Sequence, residues 1–380
     1  MGLSELAALS RFYGSGEEYV IAGGGNTSFK DDEYLYIKGS GVSLAVIDEG
    51  GFVKMDRSKL ADIWTKAYGG GDEAREAAVL SDMLAARCPG EEHKRPSVEV
   101  QLHDLLPFAY VVHTHPALVN GLTCSRDGEE AALKLFDAVW IPSTNPGYIL
   151  SLAVKDAVAS YRAEKGREAR IIFLQNHGVF AAADTAGEIK LIYDKIMDTL
   201  KGRIKRKADL SPAAVSGGSA AAADPGEAGA LLCGLARQAG EASGVDYRFV
   251  FLRNPEIAGL VKDRAAFYPV SRAYTPDQIV YAGSDPLFIE NINAAEGAWK
   301  KHLERTGRPP KVAALRGLGV FALGPSEKTA ADAAALFLDT VKIAAFTESF
   351  GGPRFMEQDK VDFINNWEAE HYRSKVAAGK

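Results

Sequence analysis

A run of small and breaking residues in mid-chain does most to limit how this chain can fold. From about Lys205 to Glu227 a basic cluster (Lys205, Arg206, Lys207) gives way to Ser211-Pro212, then to a Gly/Ser/Ala stretch ending at Asp224-Pro225-Gly226. Such a segment cannot bury an apolar face and reads as a linker, so two separate cores must form on either side of it. The chain has 380 residues, which agrees with two domains. The expected division is a first domain over 1–208, a linker over 209–227 and a second domain over 228–380.

Before the linker, short β-branched and aromatic runs at 34–37, 109–112 and 171–174 read as strands. Leu60, Ile63, Trp64 and Ala67 fall on one helix face, Val98, Leu102, Leu105 and Leu106 on another, and Ile189, Ile192, Tyr193, Ile196 and Leu200 on a third. The first domain is therefore α/β or α+β around a central sheet. Leu174-Gln-Asn-His-Gly-Val-Phe180 also has an echo in Leu315-Arg-Gly-Leu-Gly-Val-Phe321, with Leu318 in the place of His177. The echo is either a degenerate copy of one strand-turn-strand-helix unit or a chance likeness of two turns.

Composition narrows the function classes. With 44 basic and 50 acidic side chains the net charge is −6, which disfavours nucleic acid as a partner. No stretch approaches 18 uncharged apolar residues, so no membrane segment or targeting signal is expected. Cys88, Cys124 and Cys233 are widely spaced and form no thiolate zinc pattern, which points to a reduced, cytoplasmic setting.

Two of the seven histidines, His113 and His115, close an apolar strand run as His-Thr-His-Pro. Alternation along a strand puts both rings on one face, where they either share one metal ion or satisfy each other by hydrogen bonds. His177 ends another apolar run in Asn176-His-Gly178, where a sharp turn leaves its ring uncovered. Three neutral imidazoles suit Zn2+ or another divalent transition metal, and three protein ligands leave a position open for chemistry. His93, His302 and His371 lie among charged residues and read as surface side chains.

Arg95-Pro-Ser-Val-Glu-Val-Gln-Leu-His103 opens a helix with Ser97 as N-cap and Glu99 in the first turn. Glu99 is either a glutamate favoured by the helix dipole or, since the helix runs straight into the His113/His115 strand, a carboxylate facing the metal. Two glycine-rich turns, Ala22-Gly-Gly-Gly-Asn-Thr-Ser-Phe-Lys30 and Ile37-Lys-Gly-Ser-Gly-Val42, flank the strand at 34–37. They are either plain hairpin turns or amide nests that, with Asn26, Ser28 and Ser40, hold a phosphate. Neither has the spacing of a P-loop or a dinucleotide fingerprint.

Taken in order, Gly25-Asn26-Thr-Ser28, Lys38-Gly-Ser40-Gly41, Pro96-Ser97-Val-Glu99, His113-Thr-His115-Pro and Asn176-His177-Gly178 resemble the class II aldolase/adducin family over about residues 10–200. The likeness is greatest to the aldolase portion of bifunctional rhamnulose-1-phosphate aldolase/lactaldehyde dehydrogenase proteins, which also continue with segments similar to Tyr274-Thr-Pro-Asp277 and Gly317-Leu-Gly-Val-Phe321. The resemblance implies a three-layer fold with a mostly antiparallel sheet and a homo-oligomer with sites at subunit interfaces. It further implies metal ligands His113, His115 and His177, an acid/base at Glu99, and a phosphate cradle from Asn26, Ser28, Ser40, Gly41 and Ser97. Tyr148, in Asn145-Pro-Gly-Tyr, is either an exposed loop aromatic or, from a turn, the proton donor to an aldehyde fragment. The implied activity is reversible cleavage of a ketose 1-phosphate to dihydroxyacetone phosphate and an aldehyde. A 4-epimerase or dehydratase on the same site is the enzymatic alternative, and a non-catalytic adducin-like structural protein the alternative of another class.

Overall fold

The computed structural model describes residues 2–212, 224–239 and 246–367. Seven short strands form the larger sheet: β1 (Asn26–Lys30), β2 (Tyr34–Lys38), β3 (Phe52–Asp56), β4 (Tyr110–Thr114), β5 (Val139–Ile141), β6 (Ile171–Leu174) and β7 (Gly178–Ala183). Their order is β3-β2-β1-β4-β7-β6-β5, and every pairing is antiparallel except β5 with β6. Alternation along the strands sends Tyr110, Val112, Ala181 and Ala183 to one face, under helices Gly2–Gly14 and Ala186–Lys201. Val111, Phe180 and Ala182 go to the other, under helices Val100–Leu105 and Tyr148–Lys165. The result is the expected three-layer, mostly antiparallel arrangement, with a second domain beside it.

The second domain carries β8 (Arg248–Leu252), β9 (Leu287–Ile289), β10 (Val312–Leu315) and β11 (Gly319–Gly324), in the order β8-β11-β10-β9. This repeats β4-β7-β6-β5 strand for strand. The pairing register repeats as well: Leu315 opposes Gly319 as Leu174 opposes Gly178, and Ile289 opposes Leu315 as Ile141 opposes Leu174. Phe251 therefore stands where His113 does, Arg253 where His115 does and Leu318 where His177 does. Leu318 is buried in the core of this half.

The two halves pack directly. Ala117 and Cys124 of the first belong to the same apolar cluster as Tyr274, Phe337 and Val341 of the second. The start of the expected linker is anchored, since Ala208 and Leu210 lie on that cluster and the Arg206 guanidinium bridges Glu256 and Glu348. The Gly/Ser/Ala stretch at 213–223 and His371 lie outside the described residues. One surface expectation is corrected: His302 is buried, because helix Ala295–Thr306 turns Ala295, Trp299 and His302 inward together. His93 is exposed as expected.

Candidate metal centre

β4 carries His113 into the middle of the sheet, paired with Asn26 on β1 and Phe180 on β7. His115 follows just beyond the strand end, where its N–H bonds to the Tyr19 carbonyl at 3.0 Å. His177 sits in the β6–β7 turn. The left-handed residue of that turn is Asn176, at φ 58°, and asparagine tolerates this conformation better than most side chains. Gly178 serves a different need from the one its sequence context suggests. A Cβ there would lie 2.5 Å from the Thr114 carbonyl and 2.7 Å from the His115 ring, so its bareness makes room for the imidazoles.

The three rings converge on one point. Nε2 of His113 lies 2.9 Å from Nε2 of His115 and 3.4 Å from Nε2 of His177. The outer nitrogens decide which tautomers are present. Nδ1 of His113 donates to the Val179 carbonyl at 3.0 Å, and Nδ1 of His115 donates to an Asp277 carboxylate oxygen at 2.5 Å. With their protons on Nδ1, both rings turn a bare Nε2 lone pair toward the other. Burial pushes the His177 imidazole down to about 3, against the opposing pull of Glu99, and keeps it neutral.

Glu99 completes the cluster. Its Oε2 accepts from Asn26 Nδ2 at 2.5 Å, while its buried Oε1 has no hydrogen-bond partner and faces Nε2 of His113 at 3.5 Å and of His177 at 3.7 Å. An orphaned buried carboxylate oxygen opposite converging imidazole lone pairs is costly unless a cation stands among them. The donor set of three imidazoles with a carboxylate beside them fits a divalent transition metal.

Glu99 is held by a relay that its local sequence only partly suggests. The helix begins at Val100, two positions later than a Ser97 cap implies, so Glu99 itself is the capping residue and its N–H bonds to Ser97 Oγ at 3.3 Å. Asn26, Ser28 and Lys30 alternate onto the β1 face that meets this helix. Ser28 Oγ bonds Nδ1 of the fully buried His103 at 2.7 Å, His103 Nε2 donates to Asn26 Oδ1, and Asn26 donates to Glu99. Burial holds the His103 imidazole well below its ordinary range, so the relay runs through a neutral ring.

The remaining site residues divide. Asn26, Lys38, Ser40, Gly41 and Ser97 line the pocket above the histidines. Ser28 does not, because its hydroxyl is turned inward onto His103 and it is fully buried. In the second glycine turn the N–H groups of Gly39 and Ser40 bond the Gly51 and Arg95 carbonyls and are not free for an anion. Lys38 belongs to one of the sequence motifs, and the fold brings it to the pocket wall. Tyr148 is not an exposed loop aromatic. It opens a helix, its N–H is fixed by Glu76 at 3.1 Å, and its ring packs against Trp64 and Tyr68 on a neighbouring cavity of about 900 Å³, outside the metal pocket.

Residues 4–197, half of the chain, match the class II aldolase and adducin N-terminal domain. The chain belongs to the class II aldolase and adducin family. Members with aldolase activity depend on a divalent metal, and the three histidines are where this member could hold one. YuxG of Bacillus subtilis (strain 168), described as an uncharacterized oxidoreductase, is 28% identical over 196 residues, covering 49% of this chain and 27% of that protein. The chain thus spans about a quarter of the length of that curated relative. Among solved structures, the N-terminal class II aldolase domain of a conserved Thermoplasma acidophilum protein is 26% identical, with a TM-score of 0.45 over 53% of this chain and 93% of that one. L-fuculose-1-phosphate aldolase from Thermus thermophilus is 20% identical, with a TM-score of 0.33 over 52% of this chain and 91% of that one. Among the described residues no helix is long and apolar enough to cross a membrane.

Proposed function

We propose that this family member is a metal-dependent aldehyde-lyase that reversibly cleaves a ketose 1-phosphate, of the rhamnulose-1-phosphate type, into dihydroxyacetone phosphate and an aldehyde. The observation that carries the reading is the unpartnered Oε1 of Glu99 facing the convergent Nε2 atoms of His113 and His177. A divalent ion held by His113, His115 and His177, zinc being the natural choice for three neutral imidazoles, supplies Lewis-acid polarisation of the substrate's oxygens.

The protein's own groups do the rest. Lys38 and the hydroxyls of Ser40 and Ser97 hold the phosphate beside Gly41, in a pocket whose floor is Glu99. In cleavage the carbinol hydroxyl gives its proton to the Glu99 carboxylate and becomes the aldehyde, and the electron pair of the broken carbon-carbon bond stays on the carbon beside the ketone. Glu99 then delivers a proton to that carbon, and removes it in the synthetic direction. Asn26, itself fixed by His103 and Ser28, keeps Oε2 engaged so that Oε1 is the oxygen left to act.

One observation favours a second reading. Tyr148 lies away from the metal pocket, and without a tyrosine there to protonate the aldehyde oxygen, a sugar-phosphate 4-epimerase or dehydratase uses the same three histidines and Glu99 equally well. The repeated strand order and register, with Phe251, Arg253 and Leu318 at the three ligand positions, support a further reading of residues 228–380 as a metal-free copy of the first domain's sheet unit.

The test begins with metal content. Purified protein should carry stoichiometric divalent metal, and His177→Ala should lose it. The loaded protein, offered L-rhamnulose 1-phosphate and L-fuculose 1-phosphate, should release dihydroxyacetone phosphate. Metal binding with isomerised or dehydrated product and no triose would select the second reading, and neither metal nor turnover would select the adducin-like scaffold.

A further inference from the structure

We propose that Asp277, carried by the second domain, is a positioning residue of the metal centre in the first. The inference rests on the reading of His113, His115 and His177 as metal ligands and not on the reaction assigned to them.

The two strand-end histidines are oriented from different places. His113 takes its orientation from within its own sheet, through the Val179 carbonyl one strand away. His115 takes it from a residue 162 positions further along the chain: its Nδ1 meets Asp277 Oδ2 at 2.5 Å. Asp277 is buried and sits in the first turn of helix Pro276–Ala282, which Thr275 caps. Its carboxylate lies on the Nδ1 side of the ring, opposite the face where the Nε2 atoms gather, so it orients a ligand and is not itself one. Donating Nδ1–H to a carboxylate fixes the tautomer, holds the ring plane and makes Nε2 a stronger donor.

The first domain is shaped to receive this helix. A Cβ on Gly24 would fall 2.6 Å from Asp277 Oδ2 and 3.4 Å from His115 Nδ1, and a Cβ on Gly23 would fall 2.7 Å from the hydroxyl of Tyr281, one helical turn after Asp277. The first two glycines of the Gly23-Gly24-Gly25 run therefore give backbone clearance to the second domain. Cys124, which ends the helix after the histidine strand, and Asn176, which precedes His177, are tied to the same half through Arg354: its N–H donates to the Cys124 carbonyl at 2.7 Å, and its carbonyl accepts from Asn176 Nδ2 at 2.8 Å. Docking of the second domain and the geometry of the metal ligands are thus one structural event.

The experiment measures Zn2+ and Co2+ affinity of the full chain by competition with a chromophoric chelator, for the wild type, Asp277→Asn, Asp277→Ala and the same changes on a His115→Ala background. Removing an outer carboxylate typically weakens metal binding about 10- to 100-fold, and that loss is expected for Asp277→Ala, with Asp277→Asn in between. On the His115→Ala background the further loss should vanish, because Asp277 acts only through that ring. Wild-type affinity in Asp277→Ala overturns the proposal, as does an equal loss with and without His115, which marks a purely structural role. A wild-type chain that binds neither ion sinks the reading of the histidines themselves, a separate outcome.

Discussion

The ring of Phe180 lies flat against the imidazole of His113, with centroids 4.0 Å apart and planes 10° from parallel. The two are cross-strand partners on β7 and β4, so sheet pairing brings them together, and Phe180 is otherwise enclosed by the cluster under helix Tyr148–Lys165. Phe180→Ala would remove one wall of the ligand's slot and leave a cavity in a fully packed layer. We expect a loss of about 3 to 5 kcal/mol in urea unfolding of the metal-free protein, together with weaker Zn2+ retention against a chelator. An unchanged midpoint would mean that the ring is not part of the core.

Glu99→Gln keeps the shape of the side chain and its bond with Asn26 but cannot carry a proton. The variant should retain metal and fold while turnover falls by about 10²- to 10⁴-fold, the usual contribution of a general acid/base. Equal kcat in variant and wild type, on whichever substrate the screen identifies, would take Glu99 out of the chemistry.

Gly121 marks a very tight approach of the two halves. In helix Ala117–Thr123, a Cβ at this position would stand 2.3 Å from Phe346 Cβ on helix Glu327–Thr347. Gly121→Ala should cost about 1 to 3 kcal/mol through overpacking. It should also speed tryptic cleavage at Arg206, whose exposed guanidinium is held by Glu256 and Glu348 of the second half while the halves are docked. Unaltered proteolysis would show that the interface gives way without separating.

Lys30 predicts a pH effect. Its Nζ donates to the His103 carbonyl at 2.6 Å, and burial, opposed by Asp104, lowers the ammonium to about 7. An unfolded lysine keeps its proton to about pH 10. Between about pH 7 and about pH 9 the unfolded chain therefore binds the extra proton, and stability rises with pH through that window. The urea midpoint of the wild type should climb relative to Lys30→Met over this range; parallel curves would refute the shift.

The histidines and Glu99 are readable because each depends on neighbours in sequence: alternation along β4, a turn after β6, a helix start before β4. The same alternation sets Ser28 on the side of Asn26, but not how deep that side lies, and His103 closes over it. His302 reads as exposed from its charged neighbours Lys300, Lys301 and Glu304, although the spacing of Ala295, Trp299 and His302 marks a buried helix face. Tyr148 is misplaced by its sequence because nothing nearby foretells that Glu76 will fix its amide. Asp277 is the clearest limit. Thr275-Pro-Asp277 announces a helix start, but its contact with His115 exists only once both halves have folded and met.

The smaller sheet keeps the strand order and register of the larger with Phe251, Arg253 and Leu318 where the imidazoles would be. An ion is thus no part of what makes this arrangement of strands form. The histidine cluster is a removable fitting on a frame that stands without it, and stripping the ion should leave an intact protein that takes it up again without refolding.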